Sequence, residues 1–138
     1  MNRGRTVFAP LLEFIPFGHF EHRVDRFAAN RGVSEFTAWS HLLCMTYAQL
    51  TRREGLRDLV ACLNSQRPKL YHIGIRARVS RSTLADANER RDWRLFEALG
   101  HRLIATAVEL YQGEDIGLGI KEPLYAMDST TIDLCLSL

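Results

Sequence analysis

The sequence predicts a mainly helical domain that ends in a β-hairpin, and three observations lead there. Through residues 1–110, apolar side chains recur at the spacing of a helical face. Capping and stop residues cut that pattern into several short segments. Leu124 to Met127 are apolar, and after the turn residues at 128–130 the period is two: Ile132, Leu134, Leu136 and Leu138 alternate with Thr131, Asp133, Cys135 and Ser137, as in a strand with one buried face. With 138 residues, 46% of them hydrophobic, the chain can bury one ordinary core.

Taken in order, Val7, Phe8, Leu11, Leu12 and Ile15 share a first helical face, which Pro16 and Gly18 interrupt. Phe20, Val24, Phe27 and Ala28 repeat the spacing, and Asn30-Arg31-Gly32 offers the stop. Ser34 is placed to cap a third helix with the stripe Trp39, Leu43, Tyr47 and Leu50. Thr51-Arg52-Arg53-Glu54 fits a capping box, in which the threonine oxygen and the glutamate each satisfy a free backbone N–H. Leu56, Leu59, Val60 and Leu63 then form a fourth face, with Gly55 inside its first turn. A short helix at residues 69–73 ends at Gly74, and residues 75–82 read as a basic loop. From Ser82 or Thr83, with Thr83-x-x-Asp86 as a second box, one long helix runs past Trp93 along Phe96, Leu99, Leu103, Ala107 and Leu110. Gly113, Gly117 and Gly119 mark a linker over residues 111–122, and the hairpin occupies 123–138 around the turn Asp128-Ser129-Thr130.

The net charge of +2 conceals a division along the chain. Residues 1–108 hold 16 Arg and one Lys against 10 acids, a net +7, whereas residues 109–138 hold one Lys against six acids, a net −5. The guanidinium fork suits bidentate phosphate and guanine contacts. No apolar run reaches membrane-spanning length, and no signal-peptide core follows the basic start, so a cytosolic protein is expected. Cys44, Cys62 and Cys135 are far apart, lie in apolar surroundings and lack zinc spacing; they read as reduced and mostly buried.

The segment 68–94 carries the most chemistry. A short helix, a turn and a helix opening on Ser, Thr and Asn match the order of elements in a helix-turn-helix unit, whose second helix enters the major groove. In that arrangement Arg76, Arg78 and Arg81 lie beside phosphates, Ser82, Thr83 and Asn88 reach bases or backbone, and Arg90 and Arg91 extend the basic face. The bland alternative is a solvated basic loop, a serine or threonine that merely caps, and exposed ion pairs with Glu89, Asp92 and Glu97. Residues 51–63 read as the supporting helix. The histidines His19, His22, His41, His72 and His101 show no ligand set and read as structural or surface residues. Asp128 has two readings, a turn aspartate bonded to its own backbone or a Mg²⁺ ligand at a strand end, and one aspartate does not make a metal site.

The runs 47–58, 69–76, Val79-Ser80-Arg81-Ser82-Thr83-Leu84-Ala85-Asp86-Ala87-Asn88-Glu89 and Tyr125-Ala126-Met127-Asp128-Ser129-Thr130-Thr131-Ile132-Asp133-Leu134-Cys135-Leu136-Ser137-Leu138 together resemble bacterial insertion-sequence transposases of the IS-four type. The resemblance implies a helical domain binding double-stranded transposon ends over residues 1–110. It also implies the opening strands of a ribonuclease H-like sheet, with Asp128 as the first aspartate of the DDE triad that holds Mg²⁺ in the family. The other two carboxylates lie far downstream in that family, and this sequence ends at Leu138. The expectation is a truncated transposase, nucleoid-associated, that binds DNA without cutting it or holding Mg²⁺ tightly. The competing expectations are a fragment that inhibits full-length transposase through the edge of strand 131–138, self-association, or a decayed gene product with no selected role.

Overall fold

The computed structural model describes residues 8–71 and 74–111. Among them are seven helices and no strand: α1 (Phe8–Leu12), α2 (Phe17–Arg26), α3 (Ala38–Leu50), α4 (Leu56–Ser65), α5 (Arg67–Tyr71), α6 (Arg81–Arg90) and α7 (Arg94–Tyr111). The hairpin expected at 123–138 lies outside the described residues, as does the expected linker apart from Tyr111, which closes α7. No described helix is long and apolar enough to cross a membrane.

The mainly helical class is as expected, but most helix ends are set differently. Helix α2 stops before Asn30-Arg31-Gly32. Ala29 N–H donates to Val24 O and Ala28 N–H to Asp25 O, with Ala28 at φ +48, a Schellman closure built on alanine in place of glycine. The same closure ends α3: Arg53 N–H reaches Ala48 O, Arg52 N–H reaches Gln49 O, and Arg52 sits at φ +52.

That closure overturns the expected capping box. Thr51 is the C-cap of α3, and its hydroxyl donates backward to Tyr47 O at 2.7 Å, so it is not available to cap α4. Gly55 is the N-cap of α4 and lies before the helix, where its flexibility carries no helix-interior penalty. Ser34 is likewise displaced as a cap. Phe36 must turn into the core first, and Thr37 then accepts from Ser40 N–H at 3.2 Å while Asn30 Oδ1 takes Ala38 N–H at 2.7 Å.

The long helix expected from residue 82 to 110 is two helices. Ser80, ahead of both expected starts, caps α6 by accepting from Thr83 N–H at 3.0 Å. Arg91 is extended, and Asp92 Oδ1 accepts Arg94 N–H at 3.0 Å, so the aspartate's affinity for free backbone donors restarts the chain as α7. Trp93 lies in this break and is 66% exposed.

The helices close on two apolar clusters. Leu43, Cys44 and Ala48 of α3 pack with Leu59 and Leu63 of α4, Leu70 of α5, and Leu84 and Ala87 of α6. On the other side, Ala38 and Leu42 of α3 pack with Phe20 and Val24 of α2 and with Leu95 and Leu99 of α7. Trp39 touches both clusters. Helix α3 is therefore central, and its burial on several faces explains why its sequence is apolar nearly all round. Each large side chain buried this way contributes about 1.5–3 kcal/mol. Gly74, at φ +110, permits the chain to cross α3: an added Cβ would stand 3.1 Å from Trp39 Nε1 and 3.2 Å from Leu43 Cδ1.

Candidate nucleic-acid interface

The basic loop before α6 is pinned by its own apolar residues. Ile75 and Val79 are 3% and 2% exposed and belong to the larger cluster, and Asn64 Nδ2 donates to Val79 O at 3.0 Å. Between these anchors Arg76 and Arg78 are exposed, and Arg81 follows at the first position of α6. Sequence reasoning saw only a polar loop here, because two apolar residues four apart in a short basic stretch make no periodic signal.

Arg76, Arg78, Arg81 and Arg90 are all exposed, and none of their guanidinium groups makes a hydrogen bond or ion pair with another described residue. Arg76, Arg78 and Arg81 lie at a helix N-terminus whose free N–H groups already favour negative charge, whereas Arg90 closes the other end of α6. Ser82 and Thr83 are exposed beside them. Their hydroxyls lie 2.9 and 2.8 Å from Ser80 Oγ, a cluster that orders the first turn.

A groove of about 540 Å³ runs along one side of α6 and gathers Arg78, Thr83, Arg90 and Arg91 of the expected residues. Arg76, Arg81, Ser82 and Asn88 do not line it. Arg31, from the turn after α2, does, and sequence reasoning missed it because it lies far from α6 in the chain. Acids temper the far part of the site: Asp86 and Glu89 are exposed on α6 one to two turns beyond Arg81, which leaves the helix start as its most positive part.

Two expected DNA contacts are turned to internal use. Arg91 is half-buried; its Nη2 donates to Phe36 O, its Nε approaches Ala29 O at 3.4 Å, and the guanidinium lies 5.5 Å from the centre of the Phe36 ring. Burial holds its pKa below the ordinary arginine value. Asn88 Oδ1 accepts from His41 Nε2 at 2.6 Å. His41 is 2% exposed and meets Phe96 edge-on at 5.3 Å. Burial lowers its pKa, against an upward pull from Asn88, and the nearby charge of Arg91 lowers it further.

Helix α4 backs α6 through Leu59 and Leu63. The described residues between α5 and α6, 74–80, are alone longer than the roughly three- to four-residue turn of a compact helix-turn-helix. Cys44 and Cys62 are free thiols; burial raises Cys44 to about 12, and Cys62 lies 3.2 Å from Tyr47 Oη. Among the described residues no group of three or more His, Cys, Asp or Glu could hold a metal ion. Asp128 and Cys135 lie outside the described residues.

The arrangement is that of a small helical module whose α6 and preceding loop present exposed arginines with no side-chain partner among the described residues. The chain belongs to the family described as domain of unknown function DUF4372, whose model matches residues 3–76, from ahead of α1 to just past Gly74. No curated protein and no solved structure matches the chain.

Proposed function

We propose that this chain is a DNA-binding module of the transposition machinery, recognising double-stranded transposon ends through the N-terminal part of α6 and the loop before it. The observation that carries the reading is the set of exposed arginines without side-chain partners among the described residues, Arg76, Arg78 and Arg81 around a rigidly anchored helix start and Arg90 at the far end of the same helix. Side chains near the beginning of a recognition helix are the ones that reach base edges, and Asp86 and Glu89 disfavour seating the helix along its whole length. Arg76, Arg78, Arg81 and Arg90 supply phosphate contacts, and Ser82 and Thr83 supply the short polar groups. Arg91 and Asn88 support the site from behind. The matched family's domain is found in transposase-like proteins, which supports transposition as the setting. The IS-four type, the DDE triad and its Mg²⁺ at Asp128 belong to the same proposal and rest on the sequence resemblance alone.

The test is binding of the full chain to DNA duplexes carrying candidate end sequences, across a salt series. Affinity should fall with a log–log slope of roughly −0.9 for each phosphate neutralised, and R78Q/R81Q should weaken binding and flatten that slope by about 1–2. Binding that is unaffected by salt, or by this double substitution, would refute the proposed interface.

A further inference from the structure

A second basic site lies between α2 and α7. Its cleft, of about 420 Å³, is lined by His19, Arg23 and Arg26 from α2 and by Arg94, His101 and Arg102 from α7, with Glu97 as the single acid. His19, Arg23 and Arg26 fall at i, i+4 and i+7, so one face of α2 presents all three; His101 and Arg102 come from the facing helix.

The cluster is under-neutralised in a specific way. Arg94 is paired with Asp92 through bonds of 2.6 to 3.1 Å, while Arg23, Arg26 and Arg102 form no ion pair with a described residue. Arg23 Nε is buried without a hydrogen-bond partner, and so is His19 Nδ1. Arg23 Nε can only donate. Facing helices that bring like charges together and leave a buried donor unmet provide the elements of an anion site.

Continuity with the first interface indicates which anion. Phe27 lines both this cleft and the groove beside α6. The guanidinium groups of Arg26 and Arg94 lie 6.0 and 5.3 Å from its ring centre. The basic surface therefore passes from Arg78 and Arg90, around Phe27, to Arg23 and Arg102. We infer that the α2–α7 cleft holds a backbone phosphate of the same DNA duplex, extending the interface beyond the segment bound at α6; this rests on the DNA-binding reading above.

The experiment compares the wild-type chain, R23Q, R26Q/R102Q and R78Q/R81Q for duplex binding over a salt series, with far-UV circular dichroism on each. Arg26 and Arg102 are exposed, so R26Q/R102Q tests the cleft even where loss of half-buried Arg23 disturbs folding. Removing the protein's hold on one phosphate should flatten the slope by about 0.9, equivalent to roughly fivefold weaker binding at 0.15 M salt when binding at 1 M is unchanged. If R26Q/R102Q binds with wild-type affinity and slope while R78Q/R81Q does not, the cleft is overturned and the α6 interface stands. If wild type binds no duplex at any salt, both are overturned.

Discussion

Replacing Arg91 with leucine separates a structural arginine from a DNA-contacting one. The substitution removes the bond from Nη2 to Phe36 O, a charge-assisted interaction worth about 1.5–3 kcal/mol. It also removes a cation over the Phe36 ring, worth about 0.5–1 kcal/mol at a partly exposed position. The 3.4 Å approach to Ala29 O is too long to add much. Two effects offset the loss: leucine keeps part of the apolar stem's packing, and the buried, unpartnered Nη1 disappears. The net expectation is a destabilisation of about 2 kcal/mol. For a domain of this size, with a urea dependence of about 1–3 kcal/mol per molar, the midpoint of urea unfolding should fall by about 1 M. Duplex binding by the remaining folded protein should keep its wild-type salt slope. An unchanged urea midpoint together with a slope flattened by about 0.9 would show that the Arg91 side chain reaches a phosphate, and the inward assignment would be wrong.

Two further outcomes follow from the helix ends and the buried imidazole. Ala28→Gly should raise stability by about 0.5–1 kcal/mol, because Ala28 occupies the left-handed region at φ +48 and glycine relieves that cost; a thermal midpoint below wild type would contradict the closure described for α2. His41 has its pKa depressed in the fold, so the unfolded chain binds the extra proton. Its contribution to stability should be complete above the unfolded value near 6.5 and should diminish as pH falls from there toward the folded value, by at most about 1.4 kcal/mol per pH unit. H41F should remove that component from urea midpoints measured between pH 7 and 5, and an identical pH dependence in the two proteins would assign it elsewhere.

The helices legible in the sequence were those with one dominant apolar face. Phe20 and Val24 identify α2, Leu59 and Leu63 identify α4, and both pairs are buried. Helix ends were less legible because competing local bonds decide them: Thr51 has the chemistry of an N-cap, yet its hydroxyl turns back to Tyr47 O once Arg52 closes α3. Sequence spacing also extended the apolar stripe too far along α7, where Leu99 is buried but Leu110 is 67% exposed. At the candidate interface, the short-range part was readable, since Arg76, Arg78 and Arg81 lie in one basic run and all are exposed. The inward turn of Arg91 depends on carbonyls 55 and 62 residues away, and no local pattern encodes such partners. The α2–α7 cleft was missed for the same reason. His19, Arg23 and Arg26 share a helical face, but their significance appears only when His101 and Arg102 stand opposite.

The shared position of α3 bears on where this domain can be divided. The family match ends at residue 76, but the partners that seal α3 come later: Leu84 and Ala87 for one cluster, Leu95 and Leu99 for the other. A polypeptide released after residue 76 would leave Phe20, Val24 and Leu42 open on one side and Leu43, Leu59 and Leu63 open on the other. During synthesis α2 must wait for α7 before its apolar face is covered, so the amino-terminal helices emerge from the ribosome sticky and incomplete. The unit defined by sequence similarity is thus smaller than the unit that folds.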